Sequence, residues 1–228
     1  MIGVVIPAHN EAALIGPCIT SVMQAARSPL MGGEPVQVVV VLDDCSDATG
    51  IIARSYGAVT LSVAVRNVGQ SRAIGAQQCL DAGARWLAFT DADTVVAHDW
   101  LAVQLQLQAD AVCGTVSVDN WGAFGARMAF HFAHSYTDAE GHRHIHGANL
   151  GVSARAYQQV GGFAALRSSE DVALVQALQA AGVDIAWSAR PRVVTSARKL
   201  FRAPGGFGAR LLQIDVESSH ITPALLAA

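Results

Sequence analysis

The run VQVVVVLDD, residues 36–44, constrains the fold more than any other stretch of the chain. Successive residues of a strand face opposite sides, and from Val38 to Leu42 both sides are apolar. Such a strand needs cover on both faces, which is the signature of a central strand in a parallel sheet. The neighbouring segments repeat the theme. IGVVIP (2–7), AVTLSVAV (58–65) and RWLAF (85–89) read as further strands. AALIGPCITSVMQAA (12–26), ATGIIARSY (48–56) and GQSRAIGAQQCLDAGA (69–84) read as helices between them. Asn10 is a candidate N-cap for the first helix, which Pro17 interrupts, and Asp47 for the second. Strands alternating with helices predict an α/β fold with a Rossmann-like, mixed but mostly parallel sheet.

In such sheets ligands bind outside the carboxyl ends of the strands. Three polar clusters fall at those ends: AHNE (8–11), DDCSD (43–47) and DADT (91–94). They are distant in sequence and are expected to converge in space. Asp91 and Asp93 alternate in an extended exit, so both carboxylates can face one point beyond the sheet. Two carboxylates so placed suit a divalent cation whose shell is completed by substrate phosphates. For an isolated pair, a helix cap and a solvated acid are the simpler explanation. Its place beside two other polar strand ends turns the balance towards a metal.

The second half is less regular. DAVCGTVSV (110–118) reads as a strand, WGAFGARMAFHFAHSY (121–136) as apolar at helical spacing, and HRHIHGANLGVSARAYQQVGGF (142–163) as strand, turn and short helix. SSEDVALVQALQAAG (168–182) is a marked helix, with Ser168 or Ser169 as cap and Gly182 as stop. DIAW and RVVTSA read as short strands. The segment MAFHFAHSY (128–136) is expected in the core, and Trp121 and Trp187 are expected to pack rather than to stack on a sugar.

Bulk properties exclude several classes. The net charge is −3 and charged residues make up 14%, so nothing points to a nucleic-acid binder. Apolar runs are shorter than the ~20 residues that span a bilayer. No basic region precedes the first apolar run, so no signal peptide is expected, and a cytoplasmic location is. Cys18, Cys45, Cys79 and Cys113 are scattered and form no CxxC pair, and are expected to be reduced.

The pieces VVIPAHNEAALIGPCITSV (4–22), VVVVLDDCSDAT (38–49), RNVGQSRAIGAQQCL (66–80), FTDADTVVAHDWL (89–101), HGANLGVSARAYQQVGGF (146–163) and SSEDVALVQAL (168–178) together resemble family 2 glycosyltransferases, which have the GT-A nucleotide-sugar-binding fold. They occur in the family's order over roughly residues 1 to 180. The resemblance implies one catalytic domain over 1–228, with a nucleotide-sugar half (1–100), an acceptor half (101–197) and a mobile basic loop and tail (198–228). It implies that Pro7, Ala8, His9 and Glu11 line the base and ribose and that Asp44 bonds the base. Arg72 would lie near the diphosphate, Asp93 on the metal (Mg²⁺ or Mn²⁺), and Asp91 near ribose and metal. Asp171 would be the catalytic base, with His146, Gly147, Ala148, Asn149 and Glu170 around sugar and acceptor. Asp43 ranks below Asp44, as a residue that holds the adjacent loop.

The expected activity is a metal-dependent, inverting transfer of a sugar from a nucleoside diphosphate donor to an unidentified acceptor hydroxyl. Glu170 and Asp171 also fit plain first-turn acids, and His9 an ordinary surface histidine. His142, His144 and His146 alternate and would share one face, as a polar strand face or a metal site. Some GT-A enzymes supply a late histidine to the metal; the matching VVTSARK (193–199) has none. Arg198, Lys199 and Arg202 are either a lid over the diphosphate or a solvated loop. A non-catalytic nucleotide-sugar-binding module and a sugar-nucleotide pyrophosphorylase are the competing classes. The latter carries a GxGTR loop after its first strand, where this chain has PAHNEAA. Peripheral association with a lipid acceptor stays open, and apolar patches of the second half are a candidate homodimer surface.

Overall fold

The structure, a computed structural model, describes residues 1–197. β1 (Ile2–Ala8), β2 (Val36–Asp43), β3 (Val59–Val63) and β4 (Trp86–Phe89) alternate with α1 (Ile15–Ala26), α2 (Thr49–Ser55) and α3 (Val68–Asp81). There follow β5 (Val95–Val96), α4 (Trp100–Gln106), β6 (Ala111–Gly114), α5 (Gly125–Ser135), β7 (Leu150–Ser153), α6 (Ala154–Gln159), α7 (Glu170–Ala180), β8 (Ile185–Ser188) and β9 (Val193–Val194). Seven strands form one sheet in the order β3-β2-β1-β4-β7-β6-β8, and β5 pairs with β9 apart from it. β1 runs parallel to β2 and β4, β2 to β3, and β6 to β8. β7 is antiparallel to both of its neighbours. The sheet is therefore mixed and mostly parallel, as expected.

The apolar run of β2 explains the layering. Val38, Val40 and Leu42 pack with residues of α1, α2 and α4 on one face. Val39 and Val41 pack with residues of α3, α6 and α7 on the other. β4 divides in the same way, Trp86 and Ala88 against Leu87 and Phe89. Gly75 lets α3 lie close on the sheet: a Cβ there would meet Val5 Cγ1 at 2.5 Å and Val41 Cγ2 at 2.9 Å. That close approach brings the first turns of α3, and Arg72 with them, to the strand ends.

Several local expectations are corrected. Asn10 does not cap α1, which starts at Ile15; it adopts φ 53 and accepts hydrogen bonds from the Ser46 and Asp47 N–H groups. Pro17 falls in the first turn of α1, where a missing N–H costs nothing. Ser169 takes the N-cap position of α7 with φ 59 and makes no side-chain cap. Asp171 accepts from Val172 N–H there instead. Residues 142–146 run in no strand. The segment 128–136 is not core: of α5 only Met128 is buried, and Phe130 is 65% exposed. Met128 joins Phe124 and Ala197 in a small satellite cluster, with Trp121 and Phe132 packed against it.

Asp47 accepts from Thr49 N–H at 2.9 Å but lies one residue before the N-cap of α2, which is Ala48 with no side-chain cap. Other expectations hold. Trp187 packs against the core formed by α3, α6 and α7. All four cysteines are free. Among the described residues no helix is long and apolar enough to cross a membrane. The basic loop with Arg198, Lys199 and Arg202 lies outside the described residues.

Candidate active site

The loops after β1 and β2 are stitched to each other. His9 Nδ1 lies 2.6 Å from the Asp43 carbonyl oxygen. Cys45 donates to the Ala8 carbonyl, and Glu11 N–H donates to Thr49 Oγ1 at 2.8 Å. Ala12 N–H donates to Asp47 Oδ2. Pro7, Ala8, His9 and Glu11 thus stand beside Asp44 at neighbouring strand ends, although Ala8 and Glu11 are buried.

The two aspartates that end β2 do different work. Asp43 is buried, and its carboxylate accepts from the N–H groups of Val65, Arg66 and Asn67 and from the Ser71 hydroxyl. Asp44 projects outward at φ 53 and pairs with Arg66. Asp43 thus holds the adjacent loop, as expected. Asp44 also borders a cleft of about 360 Å³ with Cys45, Asp47, Ile51 and Arg54.

At the end of β4, Asp91 and Asp93 lie over α1. Both carboxylates act with burial to push the Cys18 thiol far above its ordinary range, and burial is the largest cause. Cys18 donates to the Asp91 carbonyl. The turn is held by Thr94 N–H donating to the same carbonyl at 3.1 Å and by the Thr94–Thr195 hydroxyl pair. Asp91 Oδ1 receives Arg72 Nη2 at 2.5 Å, and the other arm of Arg72 pairs with Glu170. Arg72 is buried and engaged by these two carboxylates. Glu170, expected around the acceptor, is buried as well.

Asp171 follows Glu170 at the start of α7 and accepts from Gly147 N–H at 2.7 Å. A Cβ at Gly147 would collide with the Arg72 guanidinium, so only glycine fits between Arg72 and Asp171. Glu170 at the start of α7 and Asp91 beyond β4, about eighty residues apart in sequence, therefore meet across one arginine. Asn149 does not line this site. It is fully buried and bonds Trp100 Nε1 and the carbonyls of Thr115 and Pro191. Ala148 is buried too.

His146 meets the Tyr136 hydroxyl at 2.9 Å. That hydroxyl also accepts from Val116 N–H, which ties His146 to the end of β6. Burial, and next the neighbouring His144, depress His146 to about 4, against the opposing pull of Asp171. The ring is neutral at pH 7. His142, His144 and His146 stack at 5.5 and 5.9 Å between centroids, with Tyr136 over His144. Tyr136, the partner of His146, was not expected from the sequence, since a contact across a loop leaves no pattern in it. Among the described residues no three His, Cys, Asp or Glu side chains gather into a metal cage. Asp91 and Asp93 are the residues that would hold a divalent cation, with phosphate oxygens completing its shell.

The Glycosyl transferase family 2 sequence model matches residues 3–161. This covers more than half of the chain, and the chain belongs to that family. Solved structures of similar fold include S. aureus TarS 1–349 in complex with UDP-GlcNAc, at TM-score 0.69 and 14% identity over 95% of this chain and 65% of that one. A mannosyltransferase, PcManGT from Pyrobaculum calidifontis, in complex with GDP-Man and Mn²⁺, gives TM-score 0.62 and 20% identity over 87% of this chain and 57% of that one. Glucosyl-3-phosphoglycerate synthase from Mycobacterium tuberculosis, with Mn²⁺, UDP-Glc and phosphoglyceric acid, gives 0.62 and 20% over 88% and 73%. At these identities the likeness shows the fold, which is the GT-A fold expected. The chain spans under two thirds of the length of the TarS and PcManGT structures. No curated protein matches the chain in sequence.

Proposed function

We propose that the chain is a metal-dependent, inverting glycosyltransferase that moves a sugar from a nucleoside diphosphate donor to an acceptor hydroxyl. The observation that carries this reading is the meeting of Asp91 with the Glu170–Asp171 turn across Arg72. That contact supports a reading in which Asp91, with Asp93, serves the cation and Asp171 the acceptor hydroxyl, as a direct displacement requires. The similar solved structures hold UDP- or GDP-sugars, two of them with Mn²⁺, which supports that donor class and that ion.

Pro7, Ala8, His9, Glu11 and Asp44 bound the base and ribose. Asp93 and Asp91 hold the cation, which when bound offsets the negative charge that develops on the departing diphosphate. Gly147 and His146 face the sugar side. Asp171, oriented by Gly147 N–H, takes the proton of the acceptor hydroxyl. The acceptor oxygen forms its bond to the anomeric carbon as the carbon–oxygen bond to the diphosphate breaks. One base and one displacement invert the centre.

Thermal melting of the full chain with UDP, GDP, dTDP or CDP, with and without Mn²⁺, comes first, because a ligand of the native state raises Tm. One diphosphate is expected to stabilise the protein only with Mn²⁺. Asp93→Ala is expected to abolish that shift. Asp171→Asn is expected to keep it while turnover falls about 10²–10⁴-fold. Retained turnover in Asp171→Asn would remove the base assignment, and product NMR showing a retained anomeric configuration would remove inversion. Binding without turnover in the wild type would favour a non-catalytic binding module.

A further inference from the structure

The network beneath Asp91 is closed at one end and open at the other. Glu170 has 5% of its side chain exposed and Arg72 4%, whereas Asp91 has 38%. Arg72 is packed on all sides: the two carboxylates, Gly147 against its guanidinium, and the Phe163 ring 5.9 Å from Cζ. It is fixed in place and faces carboxylates rather than open solvent.

One guanidinium serves two carboxylates, so the network carries a formal charge of −1. Asp91 alone would suffice to balance Arg72. A second, buried carboxylate costs desolvation and is not required for neutrality. What Glu170 adds is a rival claim on the guanidinium. The negative charge of Asp91 is thereby kept at the strand end rather than cancelled, and its carboxylate is held from behind in one orientation. Because Glu170 opens α7, the same contact fixes the turn that carries Asp171.

We propose that Glu170 and Arg72 are positioning residues that orient the Asp91 carboxylate and keep net negative charge beside it, and so set the affinity of the site for a divalent cation. This rests on the reading of Asp91 and Asp93 as the metal pair.

The test is Mn²⁺ titration of the full chain, followed by electron paramagnetic resonance with UDP or GDP present. Glu170→Gln keeps the shape and an acceptor for Arg72 but brings the network to zero charge. Mn²⁺ affinity is expected to fall roughly three- to tenfold. The double variant Arg72→Met with Glu170→Gln removes both buried charges and leaves Asp91 its own. Its Mn²⁺ affinity is expected to return to within about threefold of wild type. Its kcat is expected to stay at least about tenfold down, because Asp91 is no longer held.

Wild-type Mn²⁺ affinity in folded Glu170→Gln overturns the proposal. So does a double variant that binds Mn²⁺ more weakly than Glu170→Gln, since Arg72 would then contact the diphosphate itself. If Glu170→Gln does not fold, wild-type turnover in the double variant overturns the positioning role. A wild type without Mn²⁺-dependent nucleotide binding removes the transferase reading itself, a result separable from the others.

Discussion

Asp43 shows how two adjacent, identical residues divide their labour. Four donors from residues 65–71 converge on its buried carboxylate, which ties the carboxyl end of β2 to the start of α3. Asp43→Ala leaves those donors, one buried and three part-buried, with no protein acceptor, and each donor cut off from water is costly. A loss of about 3 kcal/mol is expected in urea unfolding. A loss below about 1 kcal/mol would show that water replaces the carboxylate without penalty. The sequence made the division legible only in part. DDCSD marks a polar strand end, but which aspartate turns inward depends on the φ 53 of Asp44, and no residue pattern displays that.

His146 gives the pH prediction at the same scale. In the folded chain it is depressed to about 4, against about 6.5 for a free histidine. The unfolded chain therefore takes up a proton first as pH falls. The stability linked to His146 is complete above about 6.5 and is lost as pH drops towards 4. His146→Gln retains a hydrogen-bonding partner for the Tyr136 hydroxyl and does not titrate. Its Tm is expected to fall less than that of the wild type between pH 6.5 and 4. Parallel curves would show that His146 is not depressed. HGAN pointed to the site, but the Tyr136 partner was hidden, because contact across a loop leaves no periodic trace.

At the scale of elements, the strands and the helices on the sheet were legible and the helix ends were not. The both-faces-apolar run of β2 demanded helices on both sides, and α1 and α3 supply them. The ends failed where side chains found tertiary partners: Asn10 serves the β2 loop and Asp171 bonds Gly147. α5 failed for another reason. Its apolar count is high, but the stripe that packs is narrow, essentially Met128 and Phe132. A close contact between elements is the face of α3 on β1 and β2. Gly75→Ala puts a Cβ 2.5 Å from Val5 Cγ1 inside a sheet that cannot yield. The expected cost is about 1–3 kcal/mol in chemical denaturation. Because α3 carries Arg72, turnover should fall further than stability alone explains. A stable Gly75→Ala chain with full turnover would mean that α3 shifts freely.

For the whole molecule, the decisive feature is β7. It runs against both neighbours and joins the parallel strands β1–β4 to the pair β6 and β8. The turn that enters it, 146–149, meets α3, α4, β6 and α7 together. Asn149 ties that junction from within: it accepts from Trp100 Nε1 and donates to the carbonyls of Thr115 and Pro191. Gly114 makes room for it, since a Cβ there would collide with its amide. The family resemblance placed Asn149 at the sugar, yet a fully buried amide with three satisfied bonds is a structural pin. Asn149→Ala strands one indole N–H and two carbonyls in a dry interior. A loss of about 3 kcal/mol is expected. It should appear as one transition, with tryptophan fluorescence and far-ultraviolet circular dichroism coincident, because both halves of the sheet depend on the junction. Two separate transitions in the variant would show that the halves fold independently and that the site is assembled by their docking. A single transition at lower denaturant would make the junction, and not either half, the unit on which the site's geometry depends.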